Sequence, residues 1–316
     1  MREKYTAISL FCGVGGIDLG FKSAGVNVIW ANDSDKNACI TYRENFKNIL
    51  IEKNIEDIRT DEIPYADIIL FGFPCTSFSI AGYRKGFNDV KTGHLFFEAL
   101  RIIKEKQPKV FFIENVKNLL FHDNGETFMI IKNSLEEAGY YLKYQVLNAK
   151  DYGNIPQNRE RIFVVGFKNK ENYDKFCFPE PIKLTRTISD ITKPDEIKEK
   201  KYYYENSKYY PILKERIKRK DTIYQFRRSY VRENKSNLCP TLVASMGTGG
   251  HNVPLLIDKY GIRKLTPREC FSFQGFPENY KLPDIANYHL YKQVGNSVVV
   301  PVVERIAKCI VNALTQ

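Results

Sequence analysis

The stretch YTAISLFCGVGGIDLGFKSAGVNVIWAND, residues 5–33, contains the pattern that decides the fold. Its first seven residues form a short run typical of a β-strand, which CGVGG interrupts. The residues that follow have helical spacing up to Gly25, and VNVIWAND is then typical of a second strand. The stretch therefore predicts a strand, a glycine turn, a helix and another strand in that order.

The same alternation continues along the first half of the chain. Helical patterns occur in SDKNACITYRENF, LFFEALRIIKEKQP and GETFMIIKNSLEEAGY, and strand patterns in ADIILFGF (the third strand by this count), KVFFIENV, YLKYQVLNAKDYG and RIFVVGF. Strands that alternate with helices predict a mostly parallel sheet covered by helices on both faces. Ligands bind such sheets beyond the carboxyl ends of the strands. The chemically notable residues all lie at those predicted ends: Gly13 to Gly16, Asp33, Asp57, Cys75 and Glu114.

The alternation fades between residues 182 and 260 and returns only in a terminal helix. That helix has an apolar face formed by Val299, Val302, Val303, Ile306, Ile310 and Leu314. A helix with such a face must pack against a large core, so we expect it to fold back on the first domain. The intervening segment would then be an insertion.

Composition excludes several classes of protein. The 316 residues are 43% hydrophobic and 27% charged, which is ordinary for a globular protein and long enough for two domains. Seven cysteines without a C-x-x-C pair predict neither a disulfide framework nor a structural metal site. The N-terminal apolar run is too short for a signal peptide, and no apolar segment is long enough to span a membrane. We therefore expect a soluble cytoplasmic protein without a metal.

Positive charge is concentrated in residues 183–235, which hold 16 Lys and Arg against 8 Asp and Glu. The same segment contains eight aromatic residues: Tyr202, Tyr203, Tyr204, Tyr209, Tyr210, Tyr224, Phe226 and Tyr230. Basic side chains can neutralise phosphates, and aromatic side chains can stack on bases. The pattern favours nucleic-acid binding, with a solvated lysine-rich surface as the alternative.

The glycine turn and the acidic residue at the end of the second strand together indicate a cofactor site. The turn lacks the dinucleotide pattern G-x-G-x-x-G, because the place of the third glycine is taken by Ile17 or Asp18. A carboxylate at Asp33 can accept hydrogen bonds from both ribose hydroxyls, and Asp57 can hold an adenine amino group. The alternative is that Asp33, or Ser34, caps the next helix. A nucleoside cofactor without phosphates would explain the missing phosphate-binding pattern.

Cys75 follows a proline at the end of the predicted third strand, in DIILFGFPCTSFSIAG, residues 67–82. Pro74 fixes its own φ and restricts Phe73 to an extended conformation, so the chain enters Cys75 in a limited direction. A cysteine in this place is positioned like a reacting group, although a buried structural cysteine is the alternative.

Six blocks in order resemble the DNA (cytosine-5)-methyltransferases that use S-adenosylmethionine: AISLFCGVGGIDLGF, GFPCTSFS, FFIENVKNLL, DYGNIPQNRERIFVVGF, RKLTPRECFSFQGFP and YKQVGNSVVVPV. The resemblance covers nearly the whole chain except residues 183–240. It implies an α/β fold with a Rossmann-like methyltransferase domain, residues 1–182 plus 281–316. A smaller, mostly β or irregular target-recognition domain and hinge, residues 183–280, would be inserted before the C-terminal helix.

The resemblance also implies roles for individual residues. Cys75 would add to carbon 6 of cytosine, and Glu114 would stabilise the ring at nitrogen 3, with Arg159 and Arg161 on one strand face bracing Glu114 or the cytosine carbonyl oxygen. Asn115 would position the strand end or the Cys75 loop. The implied cofactor contacts are Phe11, Gly13, Gly15, Gly16, Asp33, Asp57, Phe73, Asn296 and Ser297. One departure from the family is Thr76, which stands where glutamine is common.

The expected substrate is a cytosine flipped out of double-stranded DNA, with the basic segment after Cys75 closing over it. The expected DNA-binding residues are Arg227, Arg228, Arg232, Lys218 and Lys220. The stretch YQFRRSYVRENKSNLCPTLVASMGTGGHN, residues 224–252, resembles a subgroup whose targets contain CC and GG. A companion restriction endonuclease outside any direct complex, a monomeric state and a bacterial or phage source are further expectations. A tRNA methyltransferase and a catalytically silent DNA-binding module remain alternatives. A nicotinamide oxidoreductase is disfavoured by the missing glycine pattern.

Overall fold

The computed structural model describes residues 5–47, 49–73, 94–227, 230–234, 237–248 and 252–315. Contacts between Cα atoms divide the chain into two compact units. The first unit contains residues 1–147, 160–180 and 302–316, and the second contains residues 148–159 and 181–301. No helix among the described residues is long and apolar enough to cross a membrane.

The first unit is built around a seven-stranded sheet. Its strands are β1 (Tyr5–Leu10), β2 (Val26–Asp33), β3 (Leu50–Glu52), β4 (Ile68–Gly72), β5 (Val110–Val116), β6 (Tyr141–Asn148) and β8 (Glu160–Phe167). Its α-helices are α1 (Gly16–Ser23), α2 (Lys36–Asn45), α3 (His94–Lys106), α4 (Glu126–Glu137) and α6 (Lys170–Lys175). Short 3₁₀-helices cover Ile55–Asp57, Thr60–Glu62, Lys117–Leu120 and His122–Gly125.

The strand order is β3-β2-β1-β4-β5-β8-β6, and the pairs from β3 to β5 are all parallel. β8 runs antiparallel to β5. This confirms the predicted mostly parallel α/β sheet. The short strand β3 was missed by the sequence pattern, so the predicted third strand is the fourth. Because β1, β2, β4 and β5 run in one direction, the residues that follow them lie at one edge of the sheet.

The core of the first unit follows from the apolar strand sequences. Val110, Phe111, Phe112 and Ile113 of β5 are at most 1% exposed, as expected for a strand that is covered on both faces. Their burial anchors the strand whose far end carries Glu114.

The last helix, α11 (Val300–Thr315), buries the predicted apolar face. Val302, Val303, Ile306 and Ile310 are at most 2% exposed, and Leu314 is half-buried. Gly20 allows α1 and α11 to pack closely, because a Cβ at that position would lie 2.6 Å from Cγ1 of Val303.

The second unit contains shorter elements. Its α-helices are α5 (Ala149–Tyr152), α7 (Ile188–Thr192), α8 (Tyr210–Arg216), α9 (Pro267–Phe273) and α10 (Asn287–Asn296). Its strands are β7 (Gln157–Asn158), β9 (Tyr224–Arg227), β10 (Tyr230–Glu233), β11 (Cys239–Pro240), β12 (Val253–Ile257) and β13 (Ile262–Lys264), with 3₁₀-helices at Lys200–Tyr202 and Ala244–Thr248. β10, β9, β12 and β13 form an antiparallel sheet in that order, and β11 pairs with β7.

The aromatic residues of the basic segment serve this unit mainly as core. Tyr224 and Phe226 pack with Leu213 of α8 in a buried cluster. Of the eight aromatic residues that were considered for base stacking, Tyr230 is 51% exposed, and the other seven are buried or partly buried. Tyr203, Tyr204, Tyr209 and Tyr210 keep partial exposure beside Tyr230, so base stacking by these aromatic residues stays a prediction.

Candidate active site

The turn between β1 and α1 has an unusual backbone. Gly13 and Gly15 have φ values of 56° and 74°, in the left-handed region that glycine tolerates. Phe11 has a φ of 53°, which is rare for a bulky residue. Strained backbone of this kind occurs preferentially at ligand sites, so the turn is a candidate binding element.

Asp33 supports the turn from the end of β2. Its carboxylate accepts hydrogen bonds from the backbone nitrogen of Gly13 at 2.7 Å and from that of Asp35 at 2.8 Å. Burial raises the pKa of Asp33 from its ordinary value, and the two backbone hydrogen bonds oppose that rise. The sequence-based alternative that Asp33 or Ser34 caps α2 is wrong. The N-cap is Asp35, whose side chain accepts hydrogen bonds from Asn37 and Ala38.

The other predicted cofactor residues of the first unit differ in exposure. Asp57 is exposed at the end of a 3₁₀-helix, where it accepts a 3.3 Å hydrogen bond from Asn54. Phe73 follows β4 and is 6% exposed, with its ring against those of Phe71 and Phe96.

These residues fit a nucleoside cofactor without phosphates. A Cβ built on Gly13 would meet no atom within 4 Å, so the backbone of the turn borders open space. The side chains that follow the neighbouring strands are carboxylates and aromatic rings, which suit hydroxyl groups and a purine rather than phosphate.

Glu114 lies next to the end of β4. In the parallel pairing of β4 with β5, Gly72 is the register partner of Glu114. A Cβ on Gly72 would lie 3.2 Å from the backbone oxygen of Glu114 and 3.3 Å from its Oε2 atom, so glycine permits this close approach. Glu114 is 8% exposed.

Asn115 connects β5 with the chain that follows β4. Its Nδ2 atom donates a 2.8 Å hydrogen bond to the carbonyl oxygen of Phe73, and its Oδ1 atom accepts one from the backbone nitrogen of Val116. Asn115 thus holds the chain at the end of β4, which is one of the two roles predicted for it from the sequence. Cys75 lies two residues further along the chain, outside the described residues.

The two predicted catalytic arginines have different partners. The Nε atom of Arg161 lies 3.0 Å from Oε1 of Glu114, an ion pair in which both side chains are at most 15% exposed. Burial lowers the pKa of Arg161, while the Glu114 charge opposes that shift.

Arg159, in contrast, donates to the backbone oxygens of Leu242, Gly295 and Ser297. The strand pattern breaks at Arg159, between β7 and β8, so Arg159 and Arg161 are not alternating positions of one continuous strand. The predicted role of Arg159 beside Glu114 or the cytosine carbonyl oxygen stays a prediction.

Asn296 and Ser297 belong to the second unit, where Asn296 ends α10 and is exposed. Ser297 is 8% exposed, and its carbonyl oxygen is one of the acceptors of Arg159. Their predicted contact with the cofactor stays a prediction.

The predicted DNA-reading arginines lie on a hairpin in the second unit. β9 and β10 pair with Tyr230 opposite Arg227 and Arg232 opposite Gln225. Because side chains alternate along a strand, these four lie on one face of the hairpin. Gln225 was not predicted as part of this set, although its two-residue spacing from Arg227 on a strand indicates that the two side chains share a face. Arg228 lies outside the described residues, and Lys218 and Lys220 are exposed.

Comparison with known proteins gives a consistent result. The family model for C-5 cytosine-specific DNA methylases matches residues 5–312. The type II methyltransferase M.Bsp6I of Bacillus sp. strain RFL6 is 60% identical over 309 residues, which cover 97% of this chain and 98% of that protein. The type II methyltransferase M.HhaI of Haemophilus parahaemolyticus is 38% identical, with 95% and 92% covered.

A solved structure supports the fold alone. The crystal structure of the Dnmt2 methyltransferase of S. pombe has a TM-score of 0.77 at 17% identity, with 99% of this chain and 100% of that chain covered. Together with the sequence relatives, the family match decides between the alternatives left open above. The chain belongs to the C-5 cytosine-specific DNA methylase family and is a DNA (cytosine-5-)-methyltransferase that uses S-adenosylmethionine.

Proposed function

We propose that this methyltransferase acts on a flipped cytosine in a specific short duplex sequence, through a covalent bond to Cys75. The observation that supports it most directly is the hydrogen bond from Asn115 to Phe73 beside Glu114. From Phe73 the chain needs two residues to reach Cys75, a span of at most about 7 Å. The nucleophile and the acid would then meet at one edge of the sheet.

The proposed chemistry assigns a balanced role to each group. The Cys75 thiolate adds to carbon 6 of cytosine, which forms the sulfur–carbon bond and moves ring electrons toward carbon 5. In its protonated form Glu114 donates to ring nitrogen 3, where negative charge develops, and Arg161 holds the Glu114 side chain in place. S-adenosylmethionine, when bound, supplies an electrophilic methyl group for carbon 5. Water then takes the carbon-5 proton, the electron pair restores the double bond between carbons 5 and 6, the thiolate leaves carbon 6, and nitrogen 3 returns its proton to Glu114.

A trapping experiment tests the covalent step. Duplex DNA with 5-fluorocytosine at the target blocks loss of the carbon-5 substituent, so wild-type protein should form an adduct that survives denaturation. Cys75→Ser should form none, because a serine hydroxyl is rarely ionised near neutral pH. Cys177→Ser, which changes an exposed cysteine, is the matched control and should trap normally. Methylation by a wild-type protein that never traps would contradict the proposal.

For the cofactor, we assign the ribose hydroxyls to Asp33 and the adenine amino group to Asp57. Phe11 and Phe73 would supply apolar contact beside the backbone of the glycine turn. Support comes from the left-handed turn, from the Asp33 hydrogen bonds and from the exposed carboxylate of Asp57. Asn296 and Ser297 are retained as contacts on the family resemblance.

For DNA, we assign base reading to Arg227, Tyr230 and Arg232, which share one hairpin face with Gln225, and we retain Arg228, which lies outside the described residues, as a further DNA contact. Arginine pairs well with guanine in the major groove. Gln225 is 7% exposed, and its Oε1 atom accepts a 3.5 Å hydrogen bond from Arg227, so its role would be to position that arginine. The exposed Lys218 and Lys220 would contact phosphates without reading sequence.

We also infer the biological setting. The bacterial type II relatives suggest a companion restriction endonuclease that does not form a complex with this chain. A monomer in the cytoplasm, where the DNA substrate lies, is the corresponding proposal for assembly and location.

A further inference from the structure

A buried cluster of three polar side chains lies at the start of α1. The Oγ atom of Ser9 donates a 2.6 Å hydrogen bond to one carboxylate oxygen of Asp18, and the Oη atom of Tyr42 donates a 2.6 Å bond to the other. All three residues are 0% exposed. The cluster joins β1, α1 and α2, and none of the functions assigned above uses it.

Tyr42 links this cluster to the glycine turn. Its ring stacks on that of Phe46 with centroids 4.3 Å apart. A Cβ on Gly15 would lie 2.3 Å from Cε2 of Phe46 and 3.1 Å from Cε2 of Tyr42, so the backbone of Gly15 lies directly against both rings. The position of these rings therefore determines where the backbone of the turn can lie.

The turn is thus supported from two directions. Asp33 accepts a 2.7 Å hydrogen bond from the backbone nitrogen of Gly13, and the rings of Tyr42 and Phe46 limit the position of the Gly15 backbone. Asp33 is an assigned cofactor contact, whereas Asp18 lies beneath the turn and is completely buried. Asp18 can act on a ligand only through the groups that it holds.

We propose that Asp18 is a positioning residue for S-adenosylmethionine: in its ionised form it holds the Tyr42 hydroxyl and so fixes the glycine turn in its binding conformation. This inference rests on the proposed contact between the glycine turn and the cofactor.

The charge state of Asp18 matters because of hydrogen-bond direction. An ionised carboxylate can accept from both hydroxyls at once, one at each oxygen, which matches the two 2.6 Å bonds. A protonated carboxyl must donate its own hydrogen, so the hydroxyl of Ser9 or Tyr42 has to reverse and accept. Burial raises the pKa of Asp18 to about 6, although the two hydroxyl hydrogen bonds lower it. The reversal therefore occurs on mild acidification.

Three other titratable groups on the elements around Asp18 are Cys12, Lys22 and Asp33. Cys12 faces Asp18 from the turn, and burial raises the pKa of its thiol well above the ordinary value. Lys22, on α1 itself, is exposed. Asp33 also has a raised pKa and affects any pH profile of cofactor binding. The informative quantity is therefore the ratio between wild type and an Asp18 variant at each pH.

The experiment measures S-adenosylmethionine binding by titration calorimetry without DNA, from about pH 5 to pH 8. Asp18→Asn should weaken binding by about tenfold at the alkaline end. Asparagine is uncharged and has one acceptor oxygen and one donor nitrogen, so it cannot replace the aspartate anion that accepts from both hydroxyls. The ratio to wild type should fall toward one at the acid end, where Asp18 is protonated in the wild type. Tyr42→Phe keeps the ring and loses the hydroxyl, and it should weaken binding at the alkaline end as well.

Thr41→Val is the matched control, because it removes another fully buried hydroxyl from α2 that donates to Asn37 rather than to Asp18. It should leave binding unchanged. Wild-type affinity in both Asp18→Asn and Tyr42→Phe, or a loss that is the same at every pH, would overturn the proposal. Tyr42→Phe keeps the test decisive if Asp18→Asn does not fold. Asp33→Ala, measured in parallel, separates the two hypotheses: if it alone weakens binding, only the role of Asp18 fails, and if neither does, the turn is not a cofactor contact.

Discussion

The side-chain amide of Asn115 donates a 2.8 Å hydrogen bond to the backbone carbonyl of Phe73. The bond is buried and joins residues 42 positions apart in the sequence. It determines where the chain leaves β4, two residues before the proposed nucleophile. In the proposed mechanism, the geometry of attack would therefore depend on a residue that need not touch the base.

Asn115→Asp should slow formation of the covalent adduct by about tenfold or more, because the carboxylate oxygen cannot donate to the carbonyl and leaves it unpaired. Rapid-quench trapping with 5-fluorocytosine DNA measures this rate. Asn118→Asp adds the same charge at an exposed position in the following 3₁₀-helix and should trap at the wild-type rate. Equal rates for Asn115→Asp and wild type would show that the bond does not position Cys75.

Arg161→Lys should reduce the single-turnover rate by about tenfold or more at saturating DNA and cofactor. Lysine keeps the charge but not the planar group that lies 3.0 Å from Glu114, so the orientation of the acid is lost. Cofactor affinity should not change. Lys117→Met breaks an exposed ion pair with Glu160 and should have little effect, since such pairs contribute at most about 1 kcal/mol. A normal rate in Arg161→Lys would remove Arg161 from the proposed mechanism.

The stability of the protein should depend on pH through Asp18. Its pKa is about 6 in the folded chain against 3.8 for an ordinary aspartate, so the folded state binds the proton more tightly. The contribution of Asp18 to the free energy of unfolding is fully present below pH 3.8, and it is lost as the pH rises through the folded-state pKa of about 6. A difference of about 2 pKa units corresponds to about 3 kcal/mol.

Urea unfolding of wild type and Asp18→Asn, followed by the fluorescence of the single tryptophan, Trp30, measures this contribution. The free energy of unfolding of wild type relative to the variant should fall by about 2 kcal/mol between pH 4 and pH 7, because part of the contribution is already lost at pH 4. A constant difference across that range would mean that the folded-state pKa of Asp18 is ordinary.

Much of the fold could be predicted from local pattern. The apolar strands, the glycine turn and Asp33 at the end of β2 each follow from the residues of one short stretch, and the terminal helix was visible from its apolar spacing. The short strand β3 has only three residues and no clear alternation, so nothing local indicated it.

The contacts that sequence reasoning missed are non-local. Ser9 and Tyr42 lie 9 and 24 residues from Asp18 and meet it only after the sheet and helices have packed. The different partners of Arg159 and Arg161 depend on a strand break that a Q-N-R-E-R pattern does not reveal. The N-cap at Asp35 was missed because three consecutive residues, Asp33 to Asp35, could each have capped the helix.

Asp33→Ala should weaken S-adenosylmethionine binding by about tenfold or more, because it removes a proposed ribose acceptor and the support of the Gly13 nitrogen. Calorimetry measures the affinity, and circular dichroism checks the fold. Asp35→Ser is the control, since serine keeps a helix cap two residues away and should bind normally. If both variants bound like wild type, Asp33 would be a purely structural residue.

Arg232→Gln should weaken binding to the target duplex by about 1–3 kcal/mol and leave non-target binding unchanged, if Arg232 reads a base. Lys218→Gln or Lys220→Gln should instead weaken binding to all DNA and reduce its salt dependence, because a phosphate contact is lost. Fluorescence anisotropy at several salt concentrations separates these outcomes. Arg216→Gln, at the exposed end of α8 and outside the hairpin face, is a control for loss of one positive charge. An Arg232 variant that lost target and non-target binding equally would contradict base reading.

Exchange of residues 183–262 with those of a relative that has another target tests the same assignment at the level of the whole segment. Gln225, Arg227, Tyr230 and Arg232 would be replaced together, whereas Glu114, Asn115 and Arg161 would stay. An active hybrid should therefore methylate the relative's target, because the reading face is new and the chemistry is not. Bisulfite sequencing of plasmid DNA gives the methylated positions directly. An active hybrid that kept the original target would place specificity outside residues 183–262 and would leave the hairpin arginines with phosphate contacts only.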